Sequence, residues 1–365
     1  MLRGALVLIA LGSVACSTAG ASDSGRSQSG ESKAGAAHRG GFGGFLKGQL
    51  HAHSWGSMDS DTPPEKVARW YSDRGFDFLV ITDHNRVTRV PDTPTMLVLP
   101  GIELTTNLRT CEPPPAPSQH CLLHMNGLLP ERAPLRDPWR PHATSFARLD
   151  LYAAEVEEGS RMGALLQLDH PNFHFAADAS MLVELAALGV GFVEIANEAH
   201  DSMNDGDAQH PSTEAMWDEA LTRGARVFGT ATDDAHDYFD DDATAAQFPM
   251  AYTGDRGFVM VRADRTARSI REALARGDFY ASTGIFLRRM EISTSRIHLE
   301  VDGDRAVWFE VVGERGGVHR AEGGLSISFD PREIRSKYAR VRITDASGHH
   351  AWTQPVFATA TRPSP

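Results

Sequence analysis

Cysteine is scarce in this sequence, and positive charge is in deficit. Three cysteines occur among 365 residues, and 36 Lys and Arg stand against 48 Asp and Glu, which gives a formal net charge of −12. This charge opposes electrostatic capture of nucleic acid and disfavours a nuclease, although a metal-rich site can still bind a phosphate locally. No solenoid-type repeat is evident. With 41% hydrophobic residues, the chain is long enough for a large core and a minor domain.

The apolar run near the N-terminus, Ala5–Leu11, is short. It follows a positive charge and precedes small residues, which is the pattern of an export signal. At about a dozen residues it is too short to span a bilayer as a mature helix. Cys16 follows a small residue and resembles a bacterial lipoprotein cleavage site, so residues 1–16 are predicted to be a signal peptide and Cys16 the lipidated residue. The alternative is cleavage near Thr18–Ala21 by ordinary signal peptidase, which would leave a soluble secreted enzyme.

Residues 17–45 are dominated by Gly, Ser and Ala. Such a composition cannot bury a core, and it predicts a flexible linker. We therefore expect an exported bacterial protein. A lipid anchor would hold it at a membrane, in the periplasm or at the cell surface.

The two remaining cysteines, Cys111 and Cys121, flank a proline-rich loop at Glu112–His120. The ring that they would close is short and an export compartment is oxidising, so a disulfide that staples this loop is predicted. The alternative is two unpaired thiols. Because the loop joins Glu103 to His124, we expect it to border the site to which these two residues belong.

Residue types that bind metals follow one apolar segment after another. Asp83 and His84, for example, directly follow Phe78–Ile81. In a strand, residues i and i+2 share a face, so His51 and His53 can bind one ion. Neutral imidazoles with carboxylates suit Zn²⁺, Mn²⁺ or Fe²⁺. A multinuclear metal hydrolase site is therefore predicted, with capping and turn residues as the alternative interpretation. The set is His51, His53, His84, Glu103, His124, His170, Asp234 and His236.

Short apolar segments alternate with helical patterns, which predicts a parallel α/β barrel. The metal-binding residue types would stand at the C-terminal ends of its strands, where barrel enzymes build their sites. Strands are expected at 47–53, 78–83, 97–103, 121–128, 164–169, 191–196, 226–232 and 257–262. Helices are expected at 63–74, 144–162, 179–188, 212–223 and 266–276.

After Gly284 the pattern changes to short alternating segments separated by Gly and Asp, which predicts a small β-sandwich. Its strands are expected at Ile297–Val301, Val307–Val312, Leu325–Phe329 and Ala339–Thr344. We thus expect a barrel domain at 46–285 and a sandwich at 286–365. The sandwich is interpreted as a packing domain without chemistry.

Over about residues 47–285, these motifs resemble those of the PHP (polymerase and histidinol phosphatase) metal-hydrolase superfamily. Besides the H-x-H pair, the similar segments are Val80–Asn85, Pro100–Thr106, Leu168–Pro171 and Asp234–His236. Three further segments, Phe192–Asn197, Ala275–Ser282 and Ala351–Pro355, resemble the CehA/McbA-like branch, which includes carbamate hydrolases. The resemblance implies a distorted seven-stranded (β/α) barrel.

The resemblance also implies how the residues share two or three divalent transition-metal ions. One ion would be held by His51, His53, Glu103 and Asp234, and a second by Glu103, His124 and His170. A third would use His84 and His236, with Asp59 as the candidate for its remaining ligand. Asp83 would orient a ligand histidine without binding metal.

Three divalent ions bring roughly +6 and three ligand carboxylates roughly −3, so the implied site has a charge of about +3 and favours anions. A hydroxide that bridges the metals would then cleave a phosphoester or a carbamate or ester bond. Asp234 would be the general base, or a simple ligand. The alternative functions are a non-catalytic PHP-like binding or scaffold lipoprotein and a metal-buffering surface lipoprotein.

Three residues are candidates for substrate binding. Arg86 could hold a phosphate or carboxylate, and Asn197 and His200 could contact substrate at the end of their strand; solvation and turn capping are their alternative roles. The expected partners are a small anionic or carbonyl ester-like substrate and, through the lipid anchor, a membrane. No nucleic-acid partner is expected.

The prediction that lipid on Cys16 anchors the protein to a membrane can be tested. Changing Cys16 to Ser should abolish membrane retention while leaving catalysis intact, because only the lipidated residue is removed. Fractionation of cells that express each protein measures this. Wild-type protein found in the soluble fraction would favour ordinary signal peptidase instead.

Overall fold

The computed structural model describes residues 42–142 and 144–358. The predicted signal peptide, its lipidation site Cys16 and most of the predicted linker therefore lie outside the described residues. At the end of that linker, Phe45 is buried and its ring packs on Tyr280, with 5.3 Å between centroids. Short 3-10 turns occupy Phe42–Gly44, Trp55–Ser57, Phe173–Phe175, Glu314–Gly316 and Pro331–Glu333.

Strands and helices alternate through the first part of the chain, and the predicted strands and helices there are confirmed to within a few residues. The strands are β1 (Leu46–Gln49), β2 (Phe78–Ile81), β3 (Leu97–Leu108), β4 (Cys121–Leu128), β5 (Leu165–Leu168), β6 (Phe192–Asn197), β7 (Phe228–Thr232), β8 (Phe258–Val261) and β9 (Phe279–Ser282). The helices are α1 (Pro64–Asp73), α2 (Arg148–Met162), α3 (Ala179–Leu188), α4 (Thr213–Thr222), α5 (Asp242–Ala245) and α6 (Ala267–Arg276). Among the described residues, no helix has both the length and the apolar character of a membrane span.

Local signals explain where these helices begin and end. Pro64 stands in the first turn of α1, where its missing N–H costs nothing. Asp178 caps α3 by accepting a hydrogen bond from the N–H of Met181 at 2.8 Å. Helix α2 ends at Gly163, whose φ of 68° lies in the left-handed region that glycine adopts without strain.

The central sheet is mixed, so the parallel arrangement predicted for the barrel strands holds for only part of them. Strands β1, β2 and β3 are parallel, as are β5, β6 and β7, but β4 is antiparallel to both of its neighbours. Strands β3 and β4 are joined without a crossover helix, a connection that suits antiparallel pairing. On the other side of β1, strands β8 and β9 are also antiparallel. The mixed α/β class is confirmed, and closure of the sheet into a barrel stays a prediction.

The C-terminal part is made of short strands, and the four predicted ones are present. These strands are β10 (Leu287–Ile292), β11 (Ile297–Val301), β12 (Val307–Val312), β13 (Val318–Gly324), β14 (Ser326–Phe329), β15 (Tyr338–Thr344), β16 (His350–Thr353) and β17 (Val356–Phe357). Strands β10, β11 and β14 form a separate sheet. Strands β12, β13, β15 and β16 instead continue the central sheet, because β16 pairs with β9. The sandwich and its boundary at residue 286 therefore stay predictions.

The predicted disulfide is confirmed. Cys111 and Cys121 are bonded, with 6.0 Å between their Cα atoms, and they close the loop between β3 and β4. The prolines Pro113 and Pro114 line a cavity with His174.

A buried ion pair ties α4 to the C-terminal strands. The guanidinium of Arg340 on β15 is fully buried and donates to Asp218 at 2.8 and 2.6 Å and to Glu214 at 2.6 Å. It also lies 4.8 Å from the centre of the Trp217 ring. The buried carboxylate of Asp218 thus depends on the Arg340 cation, whereas the half-buried Glu214 also pairs with Arg342 at 3.1 Å.

We expect Arg340→Met to lower the free energy of unfolding by about 3–5 kcal/mol, because it leaves the buried carboxylate of Asp218 without a cation. The matched control is Arg288→Met, which removes an exposed pair with Glu300 at 3.1 Å and should lower the free energy of unfolding far less, because solvent screens the pair. Urea unfolding of both variants measures the difference. Equal losses in the two variants would contradict a special role for Arg340.

Candidate metal centre

Two hydrogen bonds join the segment after β1 to the segment after β7. The N–H of His53 donates to the carbonyl of Ala235 at 2.9 Å, and the N–H of Asp234 donates to the carbonyl of His51 at 3.1 Å. The Nε2 atoms of His51 and His53 lie 3.1 Å apart, as expected of residues i and i+2 on one face. Oδ1 of Asp234 lies 3.2 and 3.0 Å from those two nitrogens. Three of the predicted ligands therefore meet at one point.

Glu103 and His124 reach the same region from neighbouring antiparallel strands. Thr105 pairs with His124 in the β3–β4 ladder, so Glu103, two residues from Thr105, faces the same side as His124. Nδ1 of His124 lies 2.8 Å from Oε1 of Glu103, and Nε2 of His170 lies 3.4 Å from the same oxygen. Ligand atoms of Glu103, His124 and His170 all lie within 4.8 Å of one another, so the second predicted group is brought together.

The third predicted group is also brought together. Oδ2 of Asp59 lies 3.1 Å from Nε2 of His84 and 3.5 Å from Nε2 of His236. His53 joins this group, and its ring stacks on that of His236 with 4.1 Å between centroids. The structure thus places His53 between the first and third groups, a position that the sequence prediction had not given it.

The carboxylate of Glu103 stands at the centre of the cluster. Both of its oxygens and Nδ1 of His124 are buried without a hydrogen-bond partner, although Glu103 and His124 approach to 2.8 Å. The Glu103 oxygens and Nδ1 of His124 are close together but are not aligned for a hydrogen bond. They therefore face a shared space. A buried acceptor left unpaired is costly, and a cation in that space would satisfy it. The nitrogens near Glu103 belong to His51 (3.6 Å), His53 (3.4 Å), His84 (2.6 Å), His124 (2.8 Å) and His170 (3.4 Å).

Other side chains hold the second nitrogen of several imidazoles. Nδ1 of His51 lies 2.8 Å from Oε1 of Glu194, and Nε2 of His124 lies 2.8 Å from Oδ1 of Asn107. Such partners fix the tautomer and orientation of a metal ligand. Sequence reasoning missed Glu194 and Asn107 in this role, because Glu194 lies inside a buried strand and Asn107 follows two other polar residues, so neither gives a separate signal. The buried His, Asp and Glu clusters therefore suit several divalent ions.

Asp83 contacts His53 through an intermediate hydroxyl, and its role in orienting a metal ligand stays a prediction. Nδ1 of His53 lies 2.6 Å from Oγ of Ser57, and that hydroxyl donates to Asp83 at 3.1 Å. Asp83 also accepts the N–H and the hydroxyl of Ser54, each at 2.7 Å. The carboxylate thus holds in place the turn that positions His53.

Backbone strain occurs at two of the candidate ligands. Asp234 has a φ of 51° and His170 a φ of 22°, in a region that residues with a side chain rarely adopt. Strained conformations of this kind persist where the surrounding structure enforces them, and they concentrate at functional sites.

The charges of the cluster depend on one another. Burial alone would raise the pKa of Glu103, but the imidazoles of His84, His124 and His51 hold it well below its ordinary value. Burial opposes protonation of His170 as well, yet the carboxylates of Glu103 and Asp234 raise its pKa to about 9. The carboxylates therefore stay ionised and demand positive charge, which divalent cations would also provide.

The cluster opens into a cavity of about 510 Å³. A larger cavity of about 700 Å³ is lined by residues of β6 and β16, including Ile195 and Trp352. We assign the candidate site to the smaller cavity, because the proposed ligands line it.

The three candidate substrate-binding residues lie in different surroundings. Arg86 is exposed, pairs with Asp137 at 3.2 Å and does not belong to the described lining of the cavity. Asn197 is buried; its amide donates to Glu194 at 2.8 Å and to Asp234 at 3.2 Å, and its oxygen caps a turn by accepting the N–H of Ala199. His200 is exposed and packs on Tyr252, 4.5 Å between centroids. Their roles toward substrate stay predictions.

No protein-family model matches the chain, and no curated protein sequence matches it. Among solved structures, the chain is similar to a two-domain protein from Bacteroides vulgatus ATCC 8482 that contains a predicted PHP-like metal-dependent phosphoesterase. The identity is 16% and the TM-score 0.47, over 86% of this chain and 95% of that chain. At this level of similarity, membership of the PHP superfamily and of its CehA/McbA-like branch stays a prediction.

We expect Glu103→Gln to lower metal content more than His236→Ala does. Glu103 takes part in two ligand groups and supplies a buried charge, whereas His236 belongs to the third group alone. Elemental analysis after reconstitution with Mn²⁺ or Zn²⁺ should give about two or three ions per wild-type chain and less than about one for Glu103→Gln. Equal metal content in the two variants would contradict the bridging position.

Proposed function

We propose that this chain is a metal-dependent hydrolase that cleaves phosphoesters with two or three divalent cations. The observation that carries the proposal is the buried carboxylate of Glu103, whose oxygens make no hydrogen bond and lie among five imidazole nitrogens. A site of this composition has the donor set of Zn²⁺, Mn²⁺ or Fe²⁺.

The distances between side-chain atoms divide the proposed ligands into three groups. His51, His53, Glu103 and Asp234 would hold one cation, Glu103, His124 and His170 a second, and His53, Asp59, His84 and His236 a third. Three divalent ions against the carboxylates of Glu103, Asp234 and Asp59 leave about +3, which favours an anionic group. When bound, such ions lower the pKa of water to about 7 and neutralise the charge that develops on a phosphoryl group.

Asp234 is the proposed proton acceptor. The amide of Asn197 holds Oδ2 of Asp234 at 3.2 Å, and Oδ1 lies near the nitrogens of His51 and His53. The carboxylate also lines the cavity, so it can reach a water molecule that attacks the substrate. Hydrolysis of a carbamate or carboxyl ester would use the same residues, and the experiment below separates these bond classes.

We further propose that the protein is exported and held at a membrane by lipid on Cys16. The disulfide between Cys111 and Cys121 supports an oxidising compartment, because such bonds are rare in the cytosol. The expected partners are a small-molecule substrate and the membrane. The net charge of −12 supports the expectation that nucleic acid is not a partner.

Asp234→Asn should lower the rate of phosphoester hydrolysis about 10²–10⁴-fold, because it removes the proton acceptor while keeping the shape of the side chain. The measurement is turnover of phosphomonoesters, phosphodiesters, carbamates and carboxyl esters at matched metal content. Asp330→Asn is the control, since Asp330 pairs with Arg332 in the C-terminal part of the chain.

Wild-type turnover in Asp234→Asn at full metal content would remove Asp234 from the mechanism. Turnover of carbamates or carboxyl esters alone would contradict phosphoesters as the substrate class. Full metal content without turnover of any of the four classes would favour a binding or scaffold protein.

A further inference from the structure

The segment that follows β5 carries both a proposed metal ligand and part of the cavity wall. His170 belongs to the second ligand group, and Phe173 lines the cavity with its ring 5.3 Å from that of His170. The segment turns back on itself, because the N–H of Ala177 donates to the carbonyl of Pro171 at 3.2 Å. We call residues 170–177 the His170 turn, since its conformation decides where that imidazole stands.

The backbone of the His170 turn is unfavourable on its own. His170, His174 and Phe175 have φ values of 22°, 52° and 48°, in the left-handed region that residues with a side chain rarely adopt. A free chain would relax out of such a conformation. Contacts from other parts of the molecule therefore have to hold the turn.

Arg148, the first residue of α2, makes such contacts. Its Nη1 donates to the carbonyls of Phe175 and Ala176, at 2.9 and 3.1 Å. Its Nε donates in another direction, to the carbonyl of Pro113 at 3.0 Å, and lies 3.2 Å from Sγ of Cys111. One guanidinium thus joins the His170 turn to the loop between β3 and β4.

The disulfide gives this connection a fixed base. The bond between Cys111 and Cys121 closes the loop at the start of β4, the strand that carries His124. The backbone of the loop is also bonded to the start of α2, because the N–H of Arg148 donates to the carbonyl of Glu112 at 2.8 Å. The loop therefore fixes both the backbone and the side chain of Arg148.

Other contacts support the two halves of the turn differently. In the first half, the amide of Asn172 donates to two backbone carbonyls between β6 and α4, at 3.0 and 2.9 Å. In the second half, the N–H of His120 in the disulfide loop donates to Nδ1 of His174 at 3.0 Å, and the Phe175 ring stacks on His210 at 3.6 Å. The hydrogen bonds of the second half thus point to the disulfide loop.

We infer that Arg148 is a positioning residue for the metal centre, whose guanidinium transmits the fixed geometry of the disulfide loop to His170 and so to the second ligand group. The inference rests on the proposed function, since that group has to bind a cation. Arg148 does not belong to the described lining of the metal cavity, so its effect passes through the backbone of the His170 turn.

Arg148→Met should weaken binding of the ion in the second group about tenfold or more, as expected when a residue that supports a metal ligand is lost. The measurement is equilibrium dialysis of the full-length protein against buffered Zn²⁺. Arg271→Met is the matched control, because Arg271 also donates to two backbone carbonyls, those of Leu129 and Gly163 at 2.9 and 2.7 Å. These carbonyls follow β4 and α2, away from the ligands, and the control should keep the wild-type Zn²⁺ affinity.

A double-mutant cycle separates positioning from a general loss of stability. Arg148→Met added to His170→Ala should weaken Zn²⁺ binding little further, because the ligand that it positions is already gone. Added to His236→Ala, in the third group, it should keep nearly its full effect. In metal-free protein, amide exchange in the His170 turn should become faster in Arg148→Met and stay unchanged in Arg271→Met.

The role of the disulfide is tested in the same assay. The double variant Cys111→Ser, Cys121→Ser should lower Zn²⁺ affinity in the same direction as Arg148→Met. Combining all three substitutions should add little, since the loop acts through the arginine. Wild-type Zn²⁺ affinity in the serine variant would overturn the loop as the base of the connection.

The outcomes separate this inference from the proposed function. Wild-type Zn²⁺ affinity in Arg148→Met, a fully additive loss with His170→Ala, or unchanged amide exchange each overturns the positioning role and leaves the metal centre intact. Less than about one ion per wild-type chain contradicts the metal centre itself. The predicted Zn²⁺ and exchange results without turnover of any phosphoester sustain the positioning role and contradict the hydrolase.

Discussion

A carboxylate without a hydrogen-bond partner in the protein interior is the constraint on which the site depends. Burying an ionised group is expensive unless opposite charge surrounds it. Glu103 receives that charge from an imidazole on β4 and from imidazoles on the segments that follow β1, β2 and β5, so the sheet has to bring these parts of the chain together. The antiparallel pairing of β3 and β4 contributes directly, because it sets His124 beside Glu103 on one face.

A second set of side chains keeps the imidazoles from rotating away. Glu194 holds His51, the Ser57 hydroxyl and Asp83 hold His53, and Asn107 holds His124. Each partner occupies the nitrogen that faces away from the centre, so the other nitrogen is available to a cation. Side chains held in this way lose less entropy when a cation binds.

The sequence predicts many of the strands and a set of histidines and acids that the structure brings together, because such residues after apolar runs are a local pattern. The direction of β4 cannot be predicted from its own residues, because they would look the same in a parallel strand. Only the connection from β3 decides its orientation. Glu194 lies inside a strand that resembles core sequence, so its contact with His51 appears only in three dimensions. Strand β13 was missed because its residues, mostly charged or glycine, do not alternate with apolar ones.

The pairing of β16 with β9 has a consequence for how the chain unfolds. Since four C-terminal strands extend the central sheet, the two parts share backbone hydrogen bonds as well as the buried Arg340. Such parts are expected to melt in one cooperative transition, not as separate units. Severing the chain near residue 286 would also expose β9 as an unprotected edge, open to pairing with other chains. By pairing with β9, the C-terminal strands thus protect this edge of the central sheet from aggregation.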